Sequence, residues 1–150
     1  MTSDGYSDKQ LRGFDWLLKD LVDTLGPAAS AGAVLLSRDG LLKAYAGSFE
    51  DVARDNADTL AATASSLYSL ALQFGKGSGL ETHGVRRLLV DGHGFFGVVM
   101  SAGYGSVLVV RAADTVDPGL VGFEMNRLIQ RMADHLTTPD RRSDVPAASQ

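Results

Sequence analysis

The sequence has no cysteine and only four prolines among its 150 residues. Without thiols there is no disulfide framework, no thiolate metal site and no sulfur nucleophile, so burial alone must hold the fold. A basic excess is missing as well. Fourteen Lys and Arg stand against eighteen Asp and Glu, for a formal net charge of -4, which removes the electrostatic footprint that nucleic-acid binding requires. No apolar run approaches the roughly 20 residues of a membrane-spanning helix, and the polar start, Met1 to Ser7, lacks the basic and apolar regions of a secretory signal. These absences lead to an expectation of a cytoplasmic protein, reaching a membrane only through partners.

What is present is enough for one core. At 45% hydrophobic and 21% charged, a chain of this length builds one domain comfortably and two poorly. Ser7 with Gln10 forms a capping-box pattern, and Leu11, Phe14, Leu18, Leu21, Val22 and Leu25 recur at helical spacing. Gly26-Pro27 stops this first helix. Ala33-Val34-Leu35-Leu36 then reads as a strand apolar on both faces and covered on both. Arg38-Asp39-Gly40 reads as a hairpin whose residues take positive φ, leading into a second strand through Ala46.

A second helix is expected from about Val52 to Phe74, its core stripe formed by Leu60, Ala64, Leu67, Ala71 and Phe74, before the break Gly75-Lys76-Gly77-Ser78-Gly79. Three strand-like runs follow, His83 to Val90, Phe95 to Ser101 and Ser106 to Ala112, and read as a meander. Asp117-Pro118 opens a last helix with Val121, Met125, Leu128, Ile129, Met132 and Leu136 on its apolar side. Residues 1–10 are expected to be a flexible arm, 11–136 the domain and 137–150 a disordered tail.

The apparent chemical motifs fail on context. Gly92-His93-Gly94-Phe95-Phe96-Gly97 matches G-x-G-x-x-G, but it leads into a strand, whereas a dinucleotide site needs the turn to open a helix. The glycines around Lys76 follow a helix, so their amides face the wrong way for a phosphate loop. His83, His93 and His135 have no partner ligand at metal spacing. Glu50, Asp51, Asp55 and Asp58 sit where the dipole of the second helix favours negative charge. No nucleophile with an adjacent base is signalled, so neither catalytic residue, cofactor nor metal is expected.

One feature resists a purely structural account. From Thr59 to Gly75 there is not one charged side chain, although a surface helix normally carries charge opposite its apolar stripe. Helical spacing places Ala62, Ser65, Ser66, Ser69 and Gln73 on the outer face, flanked by Tyr68, Leu70 and Leu72. Depletion of charge among small and apolar residues is the composition of an interface centre. An alanine-rich helix selected for propensity would look similar.

The order of elements, the Leu35-Leu36-Ser37-Arg38-Asp39-Gly40 hairpin, the Ala/Ser-rich middle helix and the turn Gly103-Tyr104-Gly105-Ser106-Val107-Leu108 resemble the roadblock, or dynein light chain, family over roughly Leu11 to Leu136. The resemblance is to bacterial, actinobacterial-type members. It implies an α/β domain of profilin-like form, a five-stranded antiparallel sheet with the middle helix on one face and the terminal helices on the other. It also implies a homodimer built from the middle helices and the strand Glu81 to Val90, a small Ras-like GTPase as partner, and an association with a sensor kinase complex. Some relatives raise GTPase activity, yet the family offers no catalytic residue to carry over. Arg54, Arg86 and Arg87 are candidates for an arginine finger, against the plainer reading of solvated surface arginines. Together these readings assign the interface to Ala62, Ser65, Ser66, Ser69, Leu70, Gln73, Val85, Arg87 and Leu89. The competing class is a small-molecule sensor of similar architecture, which would need a polar-lined cavity between sheet and helix.

Overall fold

The computed structural model describes residues 13–47, 53–81 and 84–137, and side chains from 56 onward in the second helix and up to 135 in the last. The elements run α1 (Asp15–Leu25), a short 3-10 turn (Pro27–Ala29), β1 (Gly32–Ser37), β2 (Leu42–Gly47), α2 (Ala53–Gly75), β3 (Arg87–Asp91), β4 (Phe96–Gly103), β5 (Ser106–Ala112) and α3 (Pro118–Thr137). All strands pair antiparallel in the order β2-β1-β5-β4-β3. The two strands richest in aliphatic residues, β1 and β5, lie inside the sheet, where covering both faces removes the most apolar area from water.

Two cores flank the sheet. Phe14 just before α1, Leu17, Leu18 and Leu21 of α1, and Val121, Met125, Leu128 and Met132 of α3 close one face over Leu35, Val98, Met100, Leu108 and Val110. Helix α2 alone covers the other, placing Ala57, Ala61, Ala64 and Tyr68 on Val34, Leu36, Val99, Val107 and Val109. This is the architecture of one helix against two that the sequence led us to expect.

The facing of α2 differs from its expected stripe. Ala57, Ala61, Ala64 and Tyr68 are buried, Leu60, Leu67 and Ala71 are half-buried, and Phe74 is 91% exposed. The sheet already presents branched side chains, so the helix approaches through its alanines and turns its leucines to one flank. Two further expectations are adjusted. The β1–β2 connection, Arg38 to Leu41, is a four-residue loop in which only Gly40 takes positive φ, +93°, with the Gly40 amide donating to Ser37 O at 2.9 Å. Edge strand β3 is shorter than its apolar run, and His83 lies outside the described residues, as do Ser7, Gln10 and Leu11 of the expected first cap. In contrast, Asp117 Oδ1 accepts from the Gly119 amide at 3.0 Å, so the start of α3 is capped where the Asp-Pro signal placed it.

Gly47 ends β2 at φ +93°, and a Cβ there would lie 2.2 Å from Ala31 O. Gly47→Ala is therefore expected to lower stability by at least about 2 kcal/mol, read as a drop in the urea midpoint at unchanged slope. An unchanged midpoint would contradict the close approach of these strands.

Candidate interaction surface

The outer face of α2 is built from side chains that cannot project far. Ala62, Ser66, Ser69 and Gln73 are exposed along it. The Ser66 hydroxyl donates back to Ala62 O at 3.2 Å and the Thr63 hydroxyl to Thr59 O at 2.9 Å, a local pairing open to short polar side chains. This leaves an uncharged strip on which the hydroxyls of Thr63 and Ser66 are turned back onto the helix.

Ser65 plays a different part. It is half-buried and donates to Arg38 O at 2.7 Å, while Gly40 approaches both Ala62 and Ser65. The Arg38 guanidinium lies 5.6 Å from the centre of the Tyr68 ring, and its amide donates to Gly105 O at 3.0 Å. The tips of two hairpins are thereby latched to one side of α2. Tyr68, expected to flank the outer face, belongs to the core instead.

On the other side, turned away from the β1–β2 hairpin, helical spacing gathers Leu60, Leu67, Leu70, Ala71 and Phe74 into an apolar flank. Leu70 is 62% exposed and Phe74 nearly fully so. Leu60 and Leu88 pack against the same core, so this flank runs toward β3. Phe74 was missed as a surface residue because it continues the leucine spacing, although the glycine break beside it could have signalled a helix end with little left to pack against.

The nine residues singled out from sequence do not form one face. Ala62, Ser65, Ser66, Ser69, Leu70 and Gln73 lie on α2, and Val85 packs beneath it, half-buried. Arg87 and Leu89 are exposed on the opposite face of the sheet, because they pair with Met100 and Val98, which belong to the α1/α3 core. The sheet's two-residue alternation separates neighbours in sequence by its full thickness.

The other candidates stay apart. His93 is exposed in a turn, and His135 is exposed near the end of α3 with its ring 5.9 Å from that of Phe14, edge to face. Arg86 is exposed, and the side chain of Arg54 lies outside the described ones. Among the described residues, no three His, Asp or Glu come together as metal ligands, and no helix is long and apolar enough to cross a membrane. The glycine motif opens β4 rather than a helix, and its Gly94 amide already donates to Asp114 Oδ2 at 2.8 Å. A shallow depression of about 360 Å³ lies at the end of α1, lined by Val22, Asp23, Gly26, Pro27, Ser30, Ala31 and Gly47, away from the α2 strip. Desolvation pushes the Asp15 carboxyl above the ordinary aspartate range, on the α1 face.

The family model of the Roadblock/LC7 domain matches residues 15–112, from α1 through the last strand. The chain belongs to the roadblock family. It is 37% identical to a Roadblock/LC7 domain from Streptomyces avermitilis, with 83% of this chain and 98% of that one aligned at a TM-score of 0.70. The fold is shared with MglB of Myxococcus xanthus, at 16% identity, 89% and 96% coverage and a TM-score of 0.71. It is also shared with profilin IA of Acanthamoeba castellanii, at 17% identity, 81% and 98% coverage and a TM-score of 0.53. No curated protein sequence matches the chain. For this roadblock domain, α2 occupies the face that in sequence drew attention through its missing charge.

Proposed function

We propose that the protein is a non-catalytic regulatory adaptor, which self-associates and offers the uncharged face of α2 to a small Ras-like GTPase, within a signalling assembly that includes a sensor kinase. The observation carrying this reading is the charge-free surface of α2 from Thr59 onward, with two large apolar side chains left exposed at its C-terminal end. Such exposed apolar area on a small domain marks a contact surface. Family membership supports it, and the absence of a helix-opening glycine motif argues against the chain being its own nucleotide-binding unit. A cytoplasmic location follows from this role, with any membrane contact supplied by partners.

Binding of a small Ras-like GTPase from the same organism, loaded with GDP or a GTP analogue, is the test. Ser66→Arg is expected to keep the melting temperature and weaken binding by roughly 30-fold or more, because it places an unpaired charge in a desolvated contact. If hydrolysis is accelerated, single alanine replacements of Arg54, Arg86 and Arg87 are expected to leave that acceleration largely intact. A loss of about 10³-fold from one of them, with binding preserved, would instead reveal an arginine finger. Absence of binding in both nucleotide states would remove the GTPase from this reading.

A further inference from the structure

Two large aromatic side chains stay exposed on the α1/α3 side of the sheet, away from the α2 strip. Trp16, the only tryptophan of the chain, is 52% exposed on α1, and Phe123 is 63% exposed on α3, with Leu120 one turn before it. Exposed apolar residues scattered singly are ordinary, but these border one seam. Arg131 Nη1 donates to Asp20 Oδ2 at 2.8 Å and the rings of Phe14 and His135 meet edge to face, so the two helices lie side by side and antiparallel. Trp16, Asp20 and Asp23 follow at four- and three-residue steps along α1, as do Phe123, Arg127 and Arg131 along α3, so each set shares one helix face.

The floor of the seam is polar and already arranged. The Arg131 guanidinium that reaches Asp20 also lies 5.2 Å from the centre of the Trp16 ring, a stacking that holds both side chains in place. Beside it, the Glu124 side chain is nine-tenths buried and accepts from Arg127 Nη1 at 3.3 Å. Aromatic and arginine side chains are the kinds that anchor interfaces, and fixing them beforehand lowers the ordering cost of a contact. The sign of the surface narrows what fits it. α1 carries Asp15, Asp20 and Asp23 against Lys19 alone, while the two arginines of α3 are engaged by Asp20 and Glu124. A nucleic acid, an anionic membrane or a second copy of the seam meets like charge there, and a basic partner meets its complement.

We propose that the α1/α3 seam takes a basic amphipathic helix of a partner protein, laid along it as a third helix with apolar side chains seated at Trp16 and at Phe123. From Phe123 to Arg131, the residue stacked on Trp16, α3 rises by about 12 Å. Two turns of an incoming helix span that length, so its anchors stand about seven residues apart, and lysine or arginine beside them answers Asp20 and Asp23. The seam and the α2 strip belong to opposite layers of the fold. This contact therefore leaves α2 uncovered and does not depend on the reading given above.

The test titrates the full chain with a synthetic peptide of about 18 residues, long enough to hold a helix, with leucines in one stripe, lysines elsewhere and no tryptophan. Trp16 emission then reports the seam directly. A saturable blue shift is expected with the lysine peptide, and binding at least about tenfold weaker with a glutamate twin or with a scramble that destroys the stripe. Phe123→Asp is expected to keep the melting temperature and weaken binding at least about tenfold, and Asp23→Lys at least about threefold. Absence of a saturable shift, equal affinity for the glutamate twin, or wild-type affinity in Phe123→Asp would overturn the proposal. Weakening by Ser66→Arg instead of by Phe123→Asp would overturn the seam in favour of α2. Should Phe123→Asp fail to fold, Asp23→Lys decides, and wild-type affinity there overturns the proposal.

Discussion

Ala64→Arg is expected to abolish the cooperative thermal transition of the protein. Ala64 is fully buried in the core that α2 forms with Val34, Leu36, Val99, Val107 and Val109. An arginine there must either carry an unpaired charge into that core, at several kcal/mol, or lift the helix and expose the apolar face of the sheet. A small domain has about 5–15 kcal/mol of total stability, so either outcome removes most of it. The contrast with neighbouring positions makes the experiment decisive. Leu67→Arg, three residues on, falls on the half-buried flank, and Ser66→Arg falls on the exposed strip. Both are expected to fold, with Leu67→Arg losing part of its stability. The spacing of leucines alone would have placed the unfolding substitution at Leu67. Circular dichroism melts of the three variants separate the two facings, and a normal melt for Ala64→Arg would show that the helix is rotated relative to the structure described.

The second large effect concerns association. Leu70 and Phe74 are 62% and 91% exposed, so replacing both by aspartate costs the isolated fold little. At the centre of an interface, by contrast, large apolar anchors contribute about 2 kcal/mol or more each. Leu70→Asp combined with Phe74→Asp is therefore expected to raise the self-association Kd by at least about 100-fold, with melting temperature measured on dilute monomer changed by only a few degrees. Light scattering at tens of micromolar is then expected to report a dimer for wild type and a monomer for the double variant. An unchanged dimer would place the α2 flank in solvent and move the contact elsewhere.

Much of the architecture was legible from local chemistry. Asp117-Pro118 specified where α3 begins, because the carboxylate caps the first turn and proline needs no hydrogen-bond partner there. The turn at Gly103-Tyr104-Gly105 was legible for a similar reason. Tyr104 at φ +52° and Gly105 at +81° are the two central residues of the tight β4–β5 connection, and both take the positive φ that such a turn needs. The charge-free stretch of α2 was visible as composition alone, and it was the route by which sequence pointed to a contact surface.

Three matters were decided only by the tertiary structure. Sequence periodicity shows that α2 has an apolar stripe but not which of two overlapping stripes faces inward. Packing against a sheet already full of Val and Leu selected the alanines, and so released Phe74 to the surface, where the sequence had already placed Leu70. The pairing of β1 with β5 joins segments about seventy residues apart, and no local preference encodes a contact across that distance. Finally, the pattern of β3 shows that its residues alternate, whereas the register against Val98 and Met100 decides that Arg87 and Leu89 stand on the face opposite α2. A shift of one residue would have exchanged the two faces. Alternation is a property of a single strand, but its sense is a property of the sheet.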